Sequence, residues 1–269
     1  MISMKIYEIK KFQEKIFNWW KENKRDLPWR KTTNPYYIMV SEVMLQQTQV
    51  TRTIQKYLEF IKKFPTLQSL ASALPAEVLA IWSGLGYNRR ALWLQQAAQQ
   101  IIEKGSFPET PKELEKLKGI GPYTARSILI FAMNKDYPTV DTNIRRILIA
   151  EGFAEESTQE KELFQIAEKL APKGKSRDWH NALMDYGSQV LTVAKTGIKP
   201  VTTQKKFSES KRYYRGKIVK ILIKKQKQTK EQLLKECKLE EKELDEILEL
   251  LVKDGLIVEI NEQYYLPKK

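Results

Sequence analysis

Cysteine and histidine are almost absent from this chain, since its 269 residues include one Cys and one His. The single thiol, Cys237, excludes an internal disulfide and any iron–sulfur or zinc centre made of several thiolates from this chain. Long apolar runs are also missing: no stretch supplies a signal peptide or the roughly 18 uninterrupted apolar residues of a membrane span. We therefore expect a soluble, cytoplasmic protein that binds no metal cofactor.

Acidic residues are the second deficit of the chain. The 47 Lys and Arg residues outnumber the 33 Asp and Glu residues, which gives a formal net charge of +14. This excess favours a polyanionic partner, and nucleic acid is the obvious one. With 42% hydrophobic and 10% aromatic residues the chain can still bury a core, which excludes global disorder.

Hydrophobic periodicity predicts an all-α fold over most of the chain. Residues 7–189 form amphipathic stretches of helical period, broken by short turns at Pro and Gly residues. We expect a helical domain over residues 1–195, a linker over 196–210 and a small α+β domain over 211–269. The last domain has a winged-helix pattern, with helices predicted over 212–225, 229–238 and 240–253 and strands over 256–260 and 263–266.

Charge is divided along the predicted C-terminal region. Residues 205–230 carry eleven basic residues and one acid, whereas residues 231–262 carry eleven acids and four bases. This distribution predicts faces of opposite charge.

Two glycines one residue apart, Gly119 and Gly121, lie between predicted helices over 112–117 and 123–133. Such a turn lets backbone amides at the start of the second helix approach a phosphate closely, without reading a base. An ordinary helix–helix turn is the alternative that this short pattern leaves open. Further along, Asp141 follows the apolar Val140 at the expected start of a helix, where a helix N-cap is the simplest interpretation.

Five motifs, taken together, resemble the adenine DNA glycosylases of the helix-hairpin-helix superfamily. The resemblance covers about residues 11–189 and is most specific in the SEVMLQQT string. The motifs are residues 27–30 (LPWR), 41–49 (SEVMLQQTQ), 84–87 (GLGY), 117–125 (LKGIGPYTA) and 140–143 (VDTN).

The resemblance implies excision of adenine mispaired with 8-oxoguanine or guanine, by Glu42 and Asp141 on opposite walls of a cleft between two helical subdomains. Breaking an N-glycosidic bond needs a proton for the departing base and anionic support for an oxocarbenium-like sugar. Glu42 lies on an otherwise apolar helix, where desolvation would raise its pKa and keep a proton available. Asp141 should stay ionised and stabilise the sugar cation or bond transiently to the sugar. Asn143 and Tyr123 would position the reacting groups.

Tyr123 also bears on the type of reaction, because related lyase-type glycosylases carry at this position a lysine that attacks the sugar. A tyrosine cannot form the corresponding Schiff base, which predicts a monofunctional hydrolase.

Contacts with double-stranded DNA that contains a mismatched or oxidised base pair follow from the same resemblance. The base that leaves the stack must be received by a pocket, and its vacancy must be filled. The base-pocket residues are Trp29, Arg30 and Asn181, and Gln47 and Tyr87 are the wedge residues. Further residues predicted to contact DNA are Thr48, Arg89, Arg90, Gly119, Gly121 and Thr124.

The chain departs from the family pattern in three respects. Family members commonly follow the equivalent of residues 185–187 with four cysteines that hold an iron–sulfur cluster, whereas this chain offers Leu191 and a cysteine-free stretch. Its last 70 or so residues are too few for the Nudix-like domain with which many adenine glycosylases recognise 8-oxoguanine. Thr142 replaces a glycine and is shared with relatives that act on thymine mispaired with guanine.

Two alternatives to adenine excision therefore remain open. One is a thymine or uracil mismatch glycosylase of the same fold, and the other is a non-catalytic DNA-binding module. Glu42 weighs against the first, because thymine lacks the purine ring nitrogen that an acid would protonate. The presence of both carboxylates weighs against the second. We expect a monomer in either case.

Overall fold

The computed structural model describes residues 5–201 and 210–268, which are mostly helical. A short 3-10 helix spans Pro28–Lys31. The α-helices in chain order are α1 (Ile6–Asn23), α2 (Pro35–Leu45), α3 (Val50–Lys63), α4 (Leu67–Ala71), α5 (Pro75–Trp82), α6 (Arg89–Lys104), α7 (Pro111–Leu114), α8 (Pro122–Met133), α9 (Thr142–Ala150), α10 (Glu160–Leu170), α11 (Ser176–Gln189), α12 (Val193–Thr196), α13 (Lys211–Lys225), α14 (Lys230–Cys237) and α15 (Glu241–Lys253).

Three short strands, all in the C-terminal region, form one antiparallel sheet. They are β1 (Lys227–Thr229), β2 (Val258–Ile260) and β3 (Gln263–Tyr265), in the order β1-β3-β2. Gln228 and Glu259 both pair with Tyr264 of the central strand. The predicted all-α fold with a small C-terminal α+β module is confirmed. Sequence periodicity missed β1 because its three polar residues show no alternation of apolar and polar side chains.

The described residues divide into two compact units that do not follow chain order. Unit 1 contains the described residues up to Met39, Glu109–Glu115 and residues 121–201, whereas unit 2 contains Val40–Pro108, Lys116–Ile120 and residues 210–268. The C-terminal module therefore clusters with the middle of the chain. Most of the predicted linker, residues 202–209, lies outside the described residues.

Unit 1 is built around α11, which packs against α1 and α9. Phe12 of α1 meets Trp179 of α11 edge to face, with ring centroids 5.6 Å apart. Ile144 and Ile147 on the apolar side of α9 are buried in the same cluster. The N-terminal helix thus packs on the helix that carries Asn181.

Unit 2 is built around α6, which packs against α4 and α5. The large side chains Phe60 and Trp82 are fully buried in this unit. Helix α13 of the C-terminal module also packs on α5, so the module is attached to the rest of its unit through helix–helix contact.

Acidic and basic residues of the C-terminal module are paired rather than separated. Lys211 bonds Glu246 at 2.5 Å, Lys225 bonds Glu236 at 2.6 Å, and Lys230 bonds Asp245 at 2.7 Å. These ion pairs join the basic segment to the acidic one. Folding thus brings parts of the two segments together, while the distribution of charge over the faces of the module stays a prediction.

The first helix of the glycine hairpin is shorter than predicted. It covers Pro111–Leu114 instead of residues 112–117, and the chain then turns, with the Ile120 amide bonded to the Leu117 carbonyl. Gly119, five residues after the end of this helix, enters the left-handed region with φ of +77° and forms part of the turn that leads to α8. Within residues 5–201 and 210–268, no helix is long and apolar enough to cross a membrane.

Candidate active site and nucleic-acid interface

Asp141 is the N-cap of α9 and is held by two hydrogen bonds. Its Oδ1 accepts the Ile144 amide at 2.7 Å, and its Oδ2 accepts Nδ2 of Asn143 at 3.0 Å. The predicted capping role is thus confirmed, and the carboxylate lies at the positive end of the helix dipole. Capping also fixes the direction of the carboxylate, which a catalytic group requires.

Arg146, one turn further along α9, holds Asn143 in place. Its Nη2 donates to Oδ1 of Asn143 at 2.6 Å and to the carbonyl of Gly187 at 2.8 Å. The side-chain oxygen of Asn143 is thereby engaged, and its NH₂ group is directed at Asp141. Arg146 was not among the predicted site residues, although its position three residues after Asn143 on one helix face was a usable signal.

Gly187 of α11 allows α9 to approach closely at this point. A Cβ atom on Gly187 would lie 2.9 Å from Cβ of Asn143 and 3.2 Å from Cδ1 of Ile147. Only hydrogen fits in this gap, since carbon atoms in contact are about 3.5–4.0 Å apart. Gly187 therefore lets α11 pack closely against Asn143, the residue that bonds Asp141.

Opposing influences act on the charge of Asp141. Burial raises its pKa, while hydrogen bonds from Ile144 and Asn143 and the charge of Arg146 work in the opposite direction, and the net shift is upward. Burial likewise lowers the pKa of Arg146, and Asp141 opposes that change.

Glu42 lies on α2 among apolar neighbours, as predicted. Val40, Val43 and Met44 are all buried, whereas Glu42 itself is half-buried. The helix therefore presents this carboxyl group from an otherwise apolar segment.

The predicted base-pocket residues lie together in unit 1. Trp29 is buried, and Asn181 is 9% exposed. Arg30 is bonded to Asp185 through both terminal nitrogens, at 2.7 and 3.0 Å, and Nη2 also reaches the Asn181 carbonyl at 3.5 Å. Arg30 therefore binds the 3-10 helix that carries it to α11.

Asp185 is a fully buried carboxylate that the sequence reading did not single out. Besides Arg30, it accepts Nε1 of Trp20 at 2.9 Å and the Arg25 amide at 3.1 Å. Burial alone would raise the pKa of Asp185, but Arg30 and Arg25 outweigh it and hold that pKa below the ordinary value.

Both predicted wedge residues have left-handed backbone conformations, which non-glycine residues rarely adopt. The φ angle is +54° at Gln47 and +48° at Tyr87. Gln47 is exposed, and Tyr87 is 38% exposed. Such strain persists only where the surroundings impose it, and it is frequent at ligand-binding positions.

Arg90 connects the two wedge turns from beneath the surface. Its Nη1 donates to the carbonyls of Val43 and Gln46, at 2.8 and 2.5 Å, and its Nη2 donates to Oγ1 of Thr48 at 3.1 Å. Nη2 also donates to the Gly86 carbonyl at 3.2 Å.

The burial of Arg90 bears on its predicted DNA contact. Only 5% of the residue is exposed, and burial lowers its pKa to about 10. It remains a cation at neutral pH, but its guanidinium donates hydrogen bonds to backbone carbonyls and offers almost no surface to DNA. We therefore correct its assignment to that of a support for both turns.

The hairpin turn at Gly119 packs against other residues of unit 2. Gly119 lies against Trp93, where an added Cβ would be 2.9 Å from Cβ of the tryptophan. Its carbonyl accepts Nε2 of Gln46 at 3.4 Å. Arg89, half-exposed, stacks on Trp93 with its guanidinium carbon 4.6 Å from the ring centroid.

The second hairpin helix, α8, begins at Pro122 with Gly121 as its N-cap. Tyr123 is half-buried in its first turn, whereas Thr124 is 4% exposed. Thr124 was predicted to contact DNA, and its burial leaves little side-chain surface for that contact.

The segment after α11, where related proteins carry cluster cysteines, is held by arginines of α9. Nε of Arg146 donates to the Leu191 carbonyl, and Nη1 of Arg145 donates to the Lys199 carbonyl at 3.4 Å. The sole cysteine, Cys237, is buried in the C-terminal module. In the described parts of the chain, no group of three or more His, Cys, Asp or Glu side chains could hold a metal ion. The residues present therefore do not fit an iron–sulfur cluster.

Comparisons with known proteins identify the family of the chain. Residues 40–173 match the HhH-GPD superfamily of base excision DNA repair proteins. The adenine DNA glycosylase of Homo sapiens is 37% identical over 202 residues, which cover 70% of this chain and 37% of that protein. The adenine DNA glycosylase of Mycolicibacterium smegmatis is 37% identical over 194 residues, which cover 70% of this chain and 66% of that protein.

A solved structure gives a further comparison. The structure of a thermostable thymine-DNA glycosylase has a TM-score of 0.66 and 29% sequence identity, and the match covers 71% of this chain and 90% of that one. The chain belongs to the HhH-GPD superfamily of base excision DNA repair proteins. Within that superfamily it is similar to adenine DNA glycosylases, and it spans 37% and 66% of the length of the two curated relatives named above.

Proposed function

We propose that this protein is a monofunctional DNA glycosylase that hydrolyses the N-glycosidic bond of adenine mispaired with 8-oxoguanine or guanine. The observation that carries the proposal is the fixed carboxylate of Asp141, held by Ile144, Asn143 and, through Asn143, by Arg146. An N-cap needs only the bond to the Ile144 amide, so the additional support of the second oxygen favours a functional role. Similarity to adenine DNA glycosylases gives the substrate class.

Asp141 provides negative charge for the sugar in this proposal. As the bond to the base breaks, positive charge develops on the anomeric carbon and ring oxygen, and an oriented carboxylate stabilises it. A carboxylate oxygen of Asp141 can also bond transiently to the anomeric carbon before water completes hydrolysis. Asn143 keeps the carboxylate directed at the sugar.

Glu42 provides the proton for the departing adenine. Its apolar helix favours the neutral carboxylic acid, which can protonate a purine ring nitrogen and make the base a better leaving group. The reaction requires both Glu42 and Asp141 to reach the same nucleotide. Tyr123 cannot attack the sugar as an amine does, so the product is an abasic site in an intact strand.

Double-stranded DNA is the proposed partner of a monomeric enzyme. The net charge of +14 provides attraction to the backbone. The strained turns of Gln47 and Tyr87 would enter the duplex as the adenine leaves, and the backbone amides of the hairpin at Gly119 and Gly121 would bind phosphate. We propose that no iron–sulfur cluster takes part, because Arg145 and Arg146 brace the segment where it would lie.

A thymine mismatch glycosylase is the second candidate. Thr142 and the similarity to a thymine-DNA glycosylase over 90% of that chain favour it. Asp141 would act as above, but Glu42 would have no ring nitrogen of comparable basicity to protonate.

Base release from three duplexes tests the proposal. Each carries one mismatch, namely adenine with 8-oxoguanine, adenine with guanine, or thymine with guanine, and is assayed with enzyme in excess, with and without alkali. We expect release of adenine from the first two duplexes, with strand breaks only after alkali. Breaks without alkali would contradict monofunctional chemistry, release of thymine alone would favour the second candidate, and no release would contradict both.

A further inference from the structure

Arg212, in the C-terminal module, contacts the proposed wedge residue Tyr87. Its Nη1 donates to the phenol oxygen of Tyr87, and its guanidinium carbon lies 5.5 Å from the centroid of the ring. The two residues are 125 positions apart in the sequence. The guanidinium carbon of Arg90 lies 5.4 Å from the same centroid, so two arginines from distant segments contact one aromatic ring.

The contact with Arg212 restricts the motion of the Tyr87 side chain. Tyr87 has a left-handed backbone conformation and is 38% exposed, so packing alone leaves its side chain room to change rotamer. A wedge must already be oriented when the base leaves the stack, because freezing a free side chain at that moment costs conformational entropy. A hydrogen bond to the phenol and a cation–π contact with the ring both restrict that freedom.

The module that carries Arg212 is itself attached beside the wedge. Asp254 accepts Nη1 of Arg89 at 2.9 Å and also bonds Arg215. Arg212 and Arg215 are three residues apart on α13 and share one face of that helix. Asp254 thus joins the face of α13 that carries Arg212 to the start of α6, two residues after Tyr87.

We propose that Arg212 is a positioning residue for Tyr87, which orients the phenol ring for insertion into DNA during base extrusion. The C-terminal module is then part of the extrusion machinery rather than an appended domain. The inference rests on the proposed glycosylase function and adds to it a residue from outside the family motifs.

Extrusion can be measured apart from bond cleavage. Asp141→Asn in the full chain serves as the parent, so that the target nucleotide is not consumed, and 2-aminopurine replaces the adenine opposite 8-oxoguanine. The rise in its fluorescence on mixing reports unstacking. Variants of this parent are Arg212→Ala, Arg212→Lys and Tyr87→Phe, and Lys220→Ala is the control, because it removes one exposed cation from the same helix.

We expect Arg212→Ala to slow extrusion about tenfold, a factor that corresponds to the loss of one hydrogen bond and one cation–π contact. Arg212→Lys should recover part of the rate, and Lys220→Ala should change it less than twofold. Tyr87→Phe keeps the ring and the ion pairs of Asp254 but removes the hydrogen-bond acceptor of Arg212. Arg212→Ala should therefore slow extrusion less in the Tyr87→Phe background, a coupling that general weakening of DNA binding would not produce.

Three outcomes would overturn the inference alone. Extrusion by Arg212→Ala at the parent's rate would remove the role of Arg212. Equal losses in Arg212→Ala and Lys220→Ala would assign the effect to charge alone, and full additivity with Tyr87→Phe would show that the two side chains act separately. A parent that extrudes no base would contradict the proposed function together with this inference, whereas the other outcomes leave the proposed function intact.

Discussion

Replacing Gly187 by Ala should disturb Asp141 through one intervening residue. The added Cβ would meet Cβ of Asn143 at 2.9 Å and Cδ1 of Ile147 at 3.2 Å. Relief of these contacts requires α9 and α11 to separate by roughly half an ångström to one ångström. Overpacking of this kind costs about 1–3 kcal/mol. Replacing glycine within a helix returns about 0.5–1 kcal/mol, so the net loss in unfolding free energy should be about 0–2.5 kcal/mol.

The rate of base release should fall more than the stability does. Asn143 bonds Asp141 at 3.0 Å and Arg146 at 2.6 Å, so its displacement lengthens both bonds. Misplacement of a catalytic group by this amount reduces rates by about 10- to 100-fold. Single-turnover release of adenine and denaturant unfolding of the same preparation measure the two effects.

Gly216→Ala is the matched control, because Gly216 also lies within a helix and a Cβ there would meet no atom within 4 Å. This variant should gain about 0.5–1 kcal/mol of stability and keep its rate. If Gly187→Ala behaved like Gly216→Ala in both measurements, the proposed support of Asp141 by α11 would be refuted.

Three further predictions concern the support residues and the partner. Asp185→Asn should lower the unfolding free energy by about 3 kcal/mol at pH 7, since it leaves Arg30 without its buried counter-ion. The folded-state pKa of Asp185 is below its ordinary value, so this contribution should be present above about pH 4 and be lost as pH falls further. A difference in unfolding free energy between the two proteins that did not change with pH would contradict it. Arg90→Met should destabilise the fold by about 2–4 kcal/mol and abolish extrusion of 2-aminopurine, because the Gln47 and Tyr87 turns both lose their donor; normal extrusion would refute the supporting role. Affinity for duplex DNA should fall about 10³-fold between 50 and 200 mM salt if about six phosphates are bound, and a binding constant independent of salt would exclude backbone contact.

Local sequence patterns predicted the helices and the individual motifs well. Helical periodicity placed α8, α13 and α15 within a few residues of their observed bounds, because burial of one helix face dictates that spacing. The position of Asp141 after an apolar residue likewise predicted its capping role. These features depend on residues close together in the chain.

Features that depend on distant residues could not be read in this way. Arg90 looked like a surface cation in a DNA-binding motif, but two of its acceptors, the Val43 and Gln46 carbonyls, lie more than 40 positions earlier. The contact of Arg212 with Tyr87 and the closure of β1 onto β3 also join separate segments. The ion pair of Lys211 with Glu246 likewise joins residues that are distant in the sequence and forms only on folding.

Amide substitution of the two proposed catalytic carboxylates is the most direct test of the account. Glu42→Gln and Asp141→Asn keep the shape of each side chain and remove its acid or its charge, while Glu59→Gln and Asp26→Asn are matched controls at surface ion pairs. The account predicts that each of the first pair lowers single-turnover adenine release by about 10²–10⁴-fold, with duplex binding retained and the controls unchanged. Release at the rate of the unmodified protein by either Glu42→Gln or Asp141→Asn would contradict the assigned chemistry.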